Sequence, residues 1–460
     1  MRHFFHRFQR LHFVGILGTG MCGIAELMLR HGFTVTGSDL VESDVADRLR
    51  DLGAAVWIGH RPEHVHSAEV VIYSTACQPD NEELVEARRL QLPVIPRAEM
   101  LGELMRLQLG IAVAGVHGKS TTTSMLGAVL QAAGLDPTVI VGGRLQSAGS
   151  NAMLGESEWL VAEADEFDRS FLHLNPVHAI VTNLEHEHVD TYPEYREMED
   201  AFVQFCNSVP FYGAVVICGD DPGVMALRPR FKRSVVTYGI AETNDVHAVQ
   251  LAFSPDATRA LIREYSVELG ELRLGIPGIH NLRNALATIA MARQIGVSFD
   301  IAASALREFC GVARRFEFVG QYHGARLVDD YAHHPTEVAA TISAARIVHS
   351  GRLVALFQPH LYSRTAAFSE RFALALAIAD VVVVMNVYAA REQPQGGVTS
   401  RLITDAMRRN GHPAVYDVAS EDAAAALRKI LRAGDMCIAI GAGDVVKVTR
   451  ELRAEDGATS

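Results

Sequence analysis

The chain alternates two patterns along most of its length. Short apolar runs, "LHFVGIL", "FTVTGSD", "EVVIYST", "GIAVAG", "EWLVAEA", "HAIVTNL", "GAVVICG", "RLVDDY", "RLVALFQ", "DVVVVMN" and "MCIAIGA", are separated by longer segments whose apolar residues recur at helical spacing. Apolar runs of this length suit strands buried on both faces. Their alternation with helices predicts an α/β fold with mainly parallel sheets, whose ligands collect beyond the carboxyl ends of the strands. Residues 245–275 break the rhythm, because the "SPDAT" and "LGEL" turns predict a small antiparallel patch inside a larger unit. A polar helix, "RAEMLGELMRLQ", and the stretch "FCGVARRFEFVGQ" suggest boundaries, so three units are expected at 1–107, 108–312 and 313–460.

Composition narrows the partners. With 460 residues, 49% of them apolar and 21% charged, the chain can bury ample core. A formal charge of −12 without Lys/Arg blocks excludes general nucleic-acid binding, which needs a concentrated basic face, and points to small-molecule substrates. "FALALAIADVVVVMNVY" is interrupted by Asp380 and Asn386 and reads as a helix end followed by a buried strand, so no membrane association is expected. The basic, then apolar, opening residues run straight into a glycine turn without a small-residue cleavage site, so no signal peptide is expected either. Six dispersed cysteines with no CxxC pair suit reduced thiols in a cytoplasmic protein.

Two glycine turns carry the candidate chemistry. In "GTGMCG", Gly18, Gly20 and Gly23 follow one strand and open a helix, and Asp39 closes the next strand in "GSD". Glycines let the backbone approach a pyrophosphate at a helix amino end, and an acidic residue there suits a ribose hydroxyl. NAD and a UDP-sugar both present that chemistry. In "GVHGKSTTT", Gly115, Gly118, Lys119 and Ser120 supply a turn, an ammonium for β/γ-phosphates and a hydroxyl for magnesium, although the spacing is shorter than in the common P-loop. Hard oxygen ligands for magnesium stand at the ends of the next strands: Glu163, Asp165, Glu166 and Asp168, then Asn183, Glu185, Glu187 and Asp190 with His186 and His188.

Together with "YSTA", "EADEFDRSFLHL", "VTNLEHEHVDTY", "GIHNLRNALA", "GVARRFE", "DDYAHHPTEV", "FQPHLYSRT" and "YAAREQP", these motifs resemble the Mur ligase family over nearly the whole chain. The resemblance implies a Rossmann-like first domain, a central ATPase domain and a Rossmann-like third domain. It further implies the branch that joins L-alanine to the lactyl carboxylate of UDP-N-acetylmuramate, using ATP and Mg2+ in cytoplasmic peptidoglycan precursor synthesis. Gly18, Thr19, Gly20, Met21, Cys22, Gly23, Ser38, Asp39, Ser74 and Thr75 would then hold the UDP-sugar. Gly115, Val116, His117, Gly118, Lys119, Ser120 and Thr121 would hold the phosphates, and His280, Asn281 and Asn284 would lie at the adenine. Ser120, Glu163 and His188 would ligate metal, Arg315 and Asp330 would return to the nucleotide, and His360, Tyr362 and Arg364 would face the amino acid or the carboxylate.

An acyl phosphate is the expected intermediate, with Lys119 and Arg315 stabilising the transferring phosphoryl and His188 or His333 as the base. Ser120 and Val116 stand where the family more often has threonine, Phe167 where it has serine, Glu187 where it has aspartate and Ala332 where it has glycine. Residues 189–212 hold no lysine, which favours the alanine-adding branch over later-acting relatives. The chain is expected to be a monomer or weak homodimer. Three rivals stand beside this reading: a recycling ligase that attaches a ready-made tripeptide, an NAD-dependent oxidoreductase, and a non-catalytic nucleotide sensor.

Overall fold

The computed structural model describes residues 7–142, 152–187, 191–254, 257–390 and 392–458. Among the described residues the backbone forms three sheets. In the first, five parallel strands lie in the order Ala55–Ile58, Thr34–Asp39, Arg10–Val14, Val70–Tyr73 and Val94–Pro96. The chain starts at the centre, builds outward on one side and then crosses to the other, which opens a crevice beyond Val14. Leu11 and Phe13 pack with Met21, Ile24 and Met28, whereas Val14 joins Val71, Leu84 and Ala87 on the opposite face. That alternation is the period-2 geometry of a strand covered on both sides.

The second sheet has ten strands in the order Val267–Leu274, Thr258–Glu264, Val246–Phe253, Ser234–Gly239, Ala214–Cys218, His178–Val181, Leu109–Ala114, Trp159–Glu163, Thr138–Ile140 and Ala152–Met153. Its central pairings are parallel, Thr138–Ile140 pairs antiparallel with Ala152–Met153, and the small antiparallel patch belongs to the central domain. The strands Leu109–Ala114, Trp159–Glu163 and His178–Val181 lie side by side, so the motifs at their carboxyl ends converge. In the third sheet the order is Glu317–Tyr322, Ala325–Asp330, Met436–Ile440, Leu353–Phe357, Val381–Val384 and Val415–Asp417, with only the first pair antiparallel. Here again Leu353, Ala355 and Phe357 face one core and Val354 and Leu356 the other.

Contacts group the chain into two compact units, Met1–Val249 with Leu261–Glu271 and Arg283–Leu306, and Gln250–Ala260 with Leu272–Leu282 and Arg307–Ser460. Within the first unit, one apolar core runs from Phe13 of the first sheet to Leu160 and Val181 of the second. Among the described residues, no helix is long and apolar enough to cross a membrane.

Candidate active site

Beyond Val14 the chain turns at Gly15, whose φ of +81° lies in the left-handed region that favours glycine. The turn is tied to the next strand. Gly15 and Ile16 N–H donate to the Ser38 carbonyl at 2.8 and 3.1 Å, and Leu17 N–H donates to Asp39 Oδ2 at 2.9 Å. Gly18 caps the helix Thr19–Arg30, whose amino end offers N–H groups and positive potential to an anion. Arg97 completes this corner, with its guanidinium 2.8 Å from where a Cβ on Gly20 would stand. Ser74 and Thr75 follow the neighbouring strand Val70–Tyr73, with Ser74 half-buried and Thr75 exposed.

Several side chains expected at the UDP-sugar have other work. Met21 and Cys22 are buried in the core, and burial pushes the Cys22 thiol up to about 11, so only their backbone is offered to a ligand. Gly23 is a packing glycine: a Cβ there would stand 2.9 Å from that of Ala152. Ser38 is fully buried and donates to Glu83, while Asp39 spends one oxygen on the turn itself. Glu83, also fully buried, accepts in addition from Arg61 N–H at 3.2 Å and faces His64 at 2.6 Å, His60 at 3.3 Å and His12 at 3.4 Å. Burial would raise its carboxyl, but the bonds from His12, Ser38 and His64 outweigh burial and hold it down at about 2. This cluster underpins the end of the strand that carries Ser38 and Asp39.

The second turn is pinned from the strand beside it. Asn183 accepts from His117 N–H at 2.8 Å and returns Nδ2–H to the His117 carbonyl at 2.9 Å, where Thr182 also donates at 2.6 Å. Val116 is buried and its N–H reaches the Asn183 carbonyl at 3.4 Å. Gly118, with φ +82°, caps the helix Lys119–Ala132, and Asn284 Oδ1 lies 2.6 Å from where its Cβ would be. Lys119 Nζ donates to the carbonyls of Gly115 and Val116 at 2.7 and 3.3 Å, and meets both oxygens of fully buried Glu166 at 2.9 and 2.8 Å. Burial pulls the ammonium down, but Glu166, Asp165 and Glu163 together hold it above the ordinary lysine range. Thr121, two residues further along the helix, is buried.

Ser120 Oγ donates to Glu163 Oε1 at 2.5 Å, and Gly142 N–H donates to Oε2. Burial raises the Glu163 carboxyl, so an adjacent cation would favour its charged form. A hydroxyl and a carboxylate side by side at the end of the phosphate turn are hard oxygen donors of the kind magnesium takes, and the residues present fit the ion. His188 lies outside the described residues; His117 faces Glu185 at 3.3 Å.

In the second unit, residues line the carboxyl ends of the third sheet. Arg314 at φ +59° and Phe316 at φ +52° flank Arg315, and strained backbone of this kind gathers at functional sites. Arg315 reaches Glu337 at 3.5 Å and lies over the Tyr331 ring. Asp330 is buried, and its oxygens accept from Phe316 and Ala332 N–H at 2.8 Å each, so it orders the arginine loop. Burial raises its carboxyl to about 6, against the pull of Arg315. His333 Nδ1 faces the Tyr331 carbonyl at 3.0 Å, and its ring lies edge-on to His360, which stacks on Tyr388. Arg364 reaches His360 Nδ1 at 3.4 Å, and half-buried Tyr362 opens the helix Tyr362–Leu376 after Leu361, itself at φ +70°. Asn281 is buried, with Nδ2 on the Pro277 carbonyl at 2.7 Å, and His280 stands against Gly278.

Glu83 and Arg97 escaped the sequence reading because each sits in an ordinary-looking polar helix. A third glycine turn, "IGAGD", gave a readable signal: it leaves the central strand Met436–Ile440, and buried Gln358 holds Asp444 at 2.7 Å and Val445 N–H at 3.1 Å.

The profile of the Mur ligase family, catalytic domain, matches residues 10–109, the Mur ligase middle domain 113–292, and the Mur ligase, glutamate ligase domain 314–443. The UDP-N-acetylmuramate–L-alanine ligase of Syntrophotalea carbinolica is 47% identical over 447 residues, covering 97% of this chain and 98% of that protein. The ligase of the same name from Sorangium cellulosum is 48% identical over 452 residues, 97% of this chain and 96% of that protein. Among solved structures, the UDP-N-acetylmuramate-alanine ligase of Thermotoga maritima superposes with a TM-score of 0.82 at 28% identity, over 98% of this chain and 100% of that one. A murein peptide ligase from Psychrobacter arcticus shares the fold, with a TM-score of 0.69 at 24% identity, covering 98% and 99% of the two chains. The chain belongs to the Mur ligase family.

Proposed function

We propose that this protein is an ATP-dependent ligase that joins L-alanine to the lactyl carboxylate of UDP-N-acetylmuramate, releasing ADP and phosphate, in cytoplasmic peptidoglycan precursor synthesis. The observation that carries the reading is the presence of two separate anion cradles in one unit: the Gly15–Gly18 turn closed by Asp39, and the Gly115–Gly118 turn with Lys119 beside Ser120 and Glu163. Full-length likeness to the alanine ligases supports it. In this reading the domains are 1–107, 108–312 and 313–460, the chain acts as a monomer or weak homodimer, and the first cradle anchors the uridine diphosphate while the second handles ATP.

A carboxylate resists amines because its oxygen is a poor leaving group. The lactyl carboxylate therefore takes the γ-phosphoryl of ATP, and the alanine amine then displaces phosphate from the acyl phosphate. Lys119 and Arg315 neutralise charge on the transferring phosphoryl. Ser120 and Glu163, with His188 for a second ion, would hold magnesium, which supplies charge neutralisation at the phosphates. His280, Asn281 and Asn284 position the adenine, with Thr121 and the turn N–H groups at the phosphates. His360, Tyr362 and Arg364 receive the amino acid, the arginine fork suiting its carboxylate. His333 is the base we assign: with its Nδ1 proton directed to the Tyr331 carbonyl, Nε2 carries the lone pair.

Phosphate release measured with ATP, UDP-N-acetylmuramate and a panel of amino acids tests the reading, with alanine expected to give the largest kcat/KM. Preference for a preformed tripeptide over alanine would establish the recycling activity instead. Nicotinamide absorbance changes would establish the oxidoreductase, and binding of all substrates without turnover the sensor.

A further inference from the structure

The Lys119 ammonium is already spoken for. It has three protons to donate, yet four acceptors stand within 3.3 Å: two carbonyls of its own turn and both oxygens of Glu166. Any phosphate oxygen that takes a proton from Nζ must displace one of these partners. Glu166 is rigidly placed for the competition. Its carboxylate is fully buried, its carbonyl accepts from the buried Tyr192 hydroxyl at 2.8 Å and from Arg169 N–H at 3.0 Å, and the Arg169 guanidinium covers the Tyr192 ring at 5.0 Å. Arg169 in turn pairs with Glu197 at 2.8 Å, so the carboxylate-bearing turn is fastened to the helix Tyr195–Ser208.

We propose that Glu166 is a positioning residue and an internal competitor for nucleotide. It presets Lys119 in its turn, and ATP binds by exchanging phosphate oxygens for this carboxylate on Nζ. The consequence is a trade. Holding the lysine in place avoids ordering a free side chain when ATP arrives, but the anion that does so opposes the triphosphate, weakening ground-state binding while keeping the ammonium where the transferring phosphoryl needs it. The idea rests on the placement of ATP at the second turn.

The test is a double-mutant cycle on the full-length protein, with Mg-ATP affinity read by calorimetry and turnover by alanine-dependent phosphate release. Glu166→Gln keeps the shape and removes the competing charge. It should bind ATP about tenfold tighter, the scale of one charge-assisted hydrogen bond, while kcat falls. In a Lys119→Met background the same change should bring no tightening, because the exchange runs through the ammonium. Glu166→Asp, which keeps the charge, should return affinity to near the wild-type value, and unchanged UDP-N-acetylmuramate binding would report an intact fold. Equal or weaker ATP binding by Glu166→Gln, or equal tightening with and without Lys119, overturns the proposal. A wild-type protein that binds no ATP would overturn the functional reading instead. Should Glu166→Gln fail to fold, Glu166→Asp decides by its kcat-against-KM split: a loss in kcat with KM for ATP held or lowered supports the exchange, and a raised KM overturns it.

Discussion

Replacing Glu83 by Gln tests whether a buried carboxylate holds up the floor of the first cradle. Glu83 is fully buried and surrounded by donors from Ser38, Arg61 and three histidines, and its carboxyl is held at about 2. Against an unfolded value of ~4.3, the shift is about two pH units, which at ~1.36 kcal/mol each gives roughly 3 kcal/mol. The sign follows from the depressed folded value. The contribution is complete well above pH 4 and is lost as pH falls toward 2, so it should be about half gone by pH 3. Trp57 reports on this site, because it stacks on His64 with ring centroids 4.5 Å apart, and a Trp159→Phe background removes the chain's other tryptophan. Denaturant unfolding followed by Trp57 fluorescence should show Glu83→Gln less stable by roughly 3 kcal/mol at pH 7, with a smaller gap at pH 3. UDP-N-acetylmuramate binding should weaken and ATP binding should not. A gap below about 1 kcal/mol at pH 7, or one that does not depend on pH, would refute the reasoning.

Three other outcomes follow from the geometry. Lys119→Ala should abolish alanine-dependent phosphate release yet leave UDP-N-acetylmuramate binding intact by calorimetry; equal loss of both would contradict two independent cradles. Asn183→Ala removes both side-chain bonds to His117 and should cost about 1–3 kcal/mol in thermal stability and raise the KM for ATP; an unchanged KM would show that the turn holds without it. Asp330, raised to about 6 by burial, binds its proton more tightly folded than unfolded, so stability should decline as pH rises from about 4 to 6. Asp330→Asn should flatten that decline in thermal unfolding series, and an unaltered pH dependence would count against the burial argument.

The sequence by itself determined the strands and the chemistry that follows them. Each of the eleven apolar runs contains a strand, because a strand covered on both faces buries a short continuous apolar stretch. The glycine turns after Val14 and Ala114 were legible because their residue types are needed locally, for a left-handed backbone, an ammonium and a hydroxyl. Short half-exposed edge strands such as Ala55–Ile58 and Val415–Asp417 bury too little apolar surface to leave a pattern. What tertiary structure decided is which polar groups meet. Ser38 and Asp330 looked like ligand contacts beside their motifs, yet Ser38 bonds Glu83, 45 residues away, and Asp330 accepts from Phe316 N–H, 14 residues before it, as well as from the local Ala332 N–H. Glu83 carries no local signature at all: the donors around it come from residues 12, 38, 60, 61 and 64, and only folding places them together. Hydrogen bonds depend on distances across elements, whereas burial periodicity is written within one, so the sequence displays the second and conceals the first.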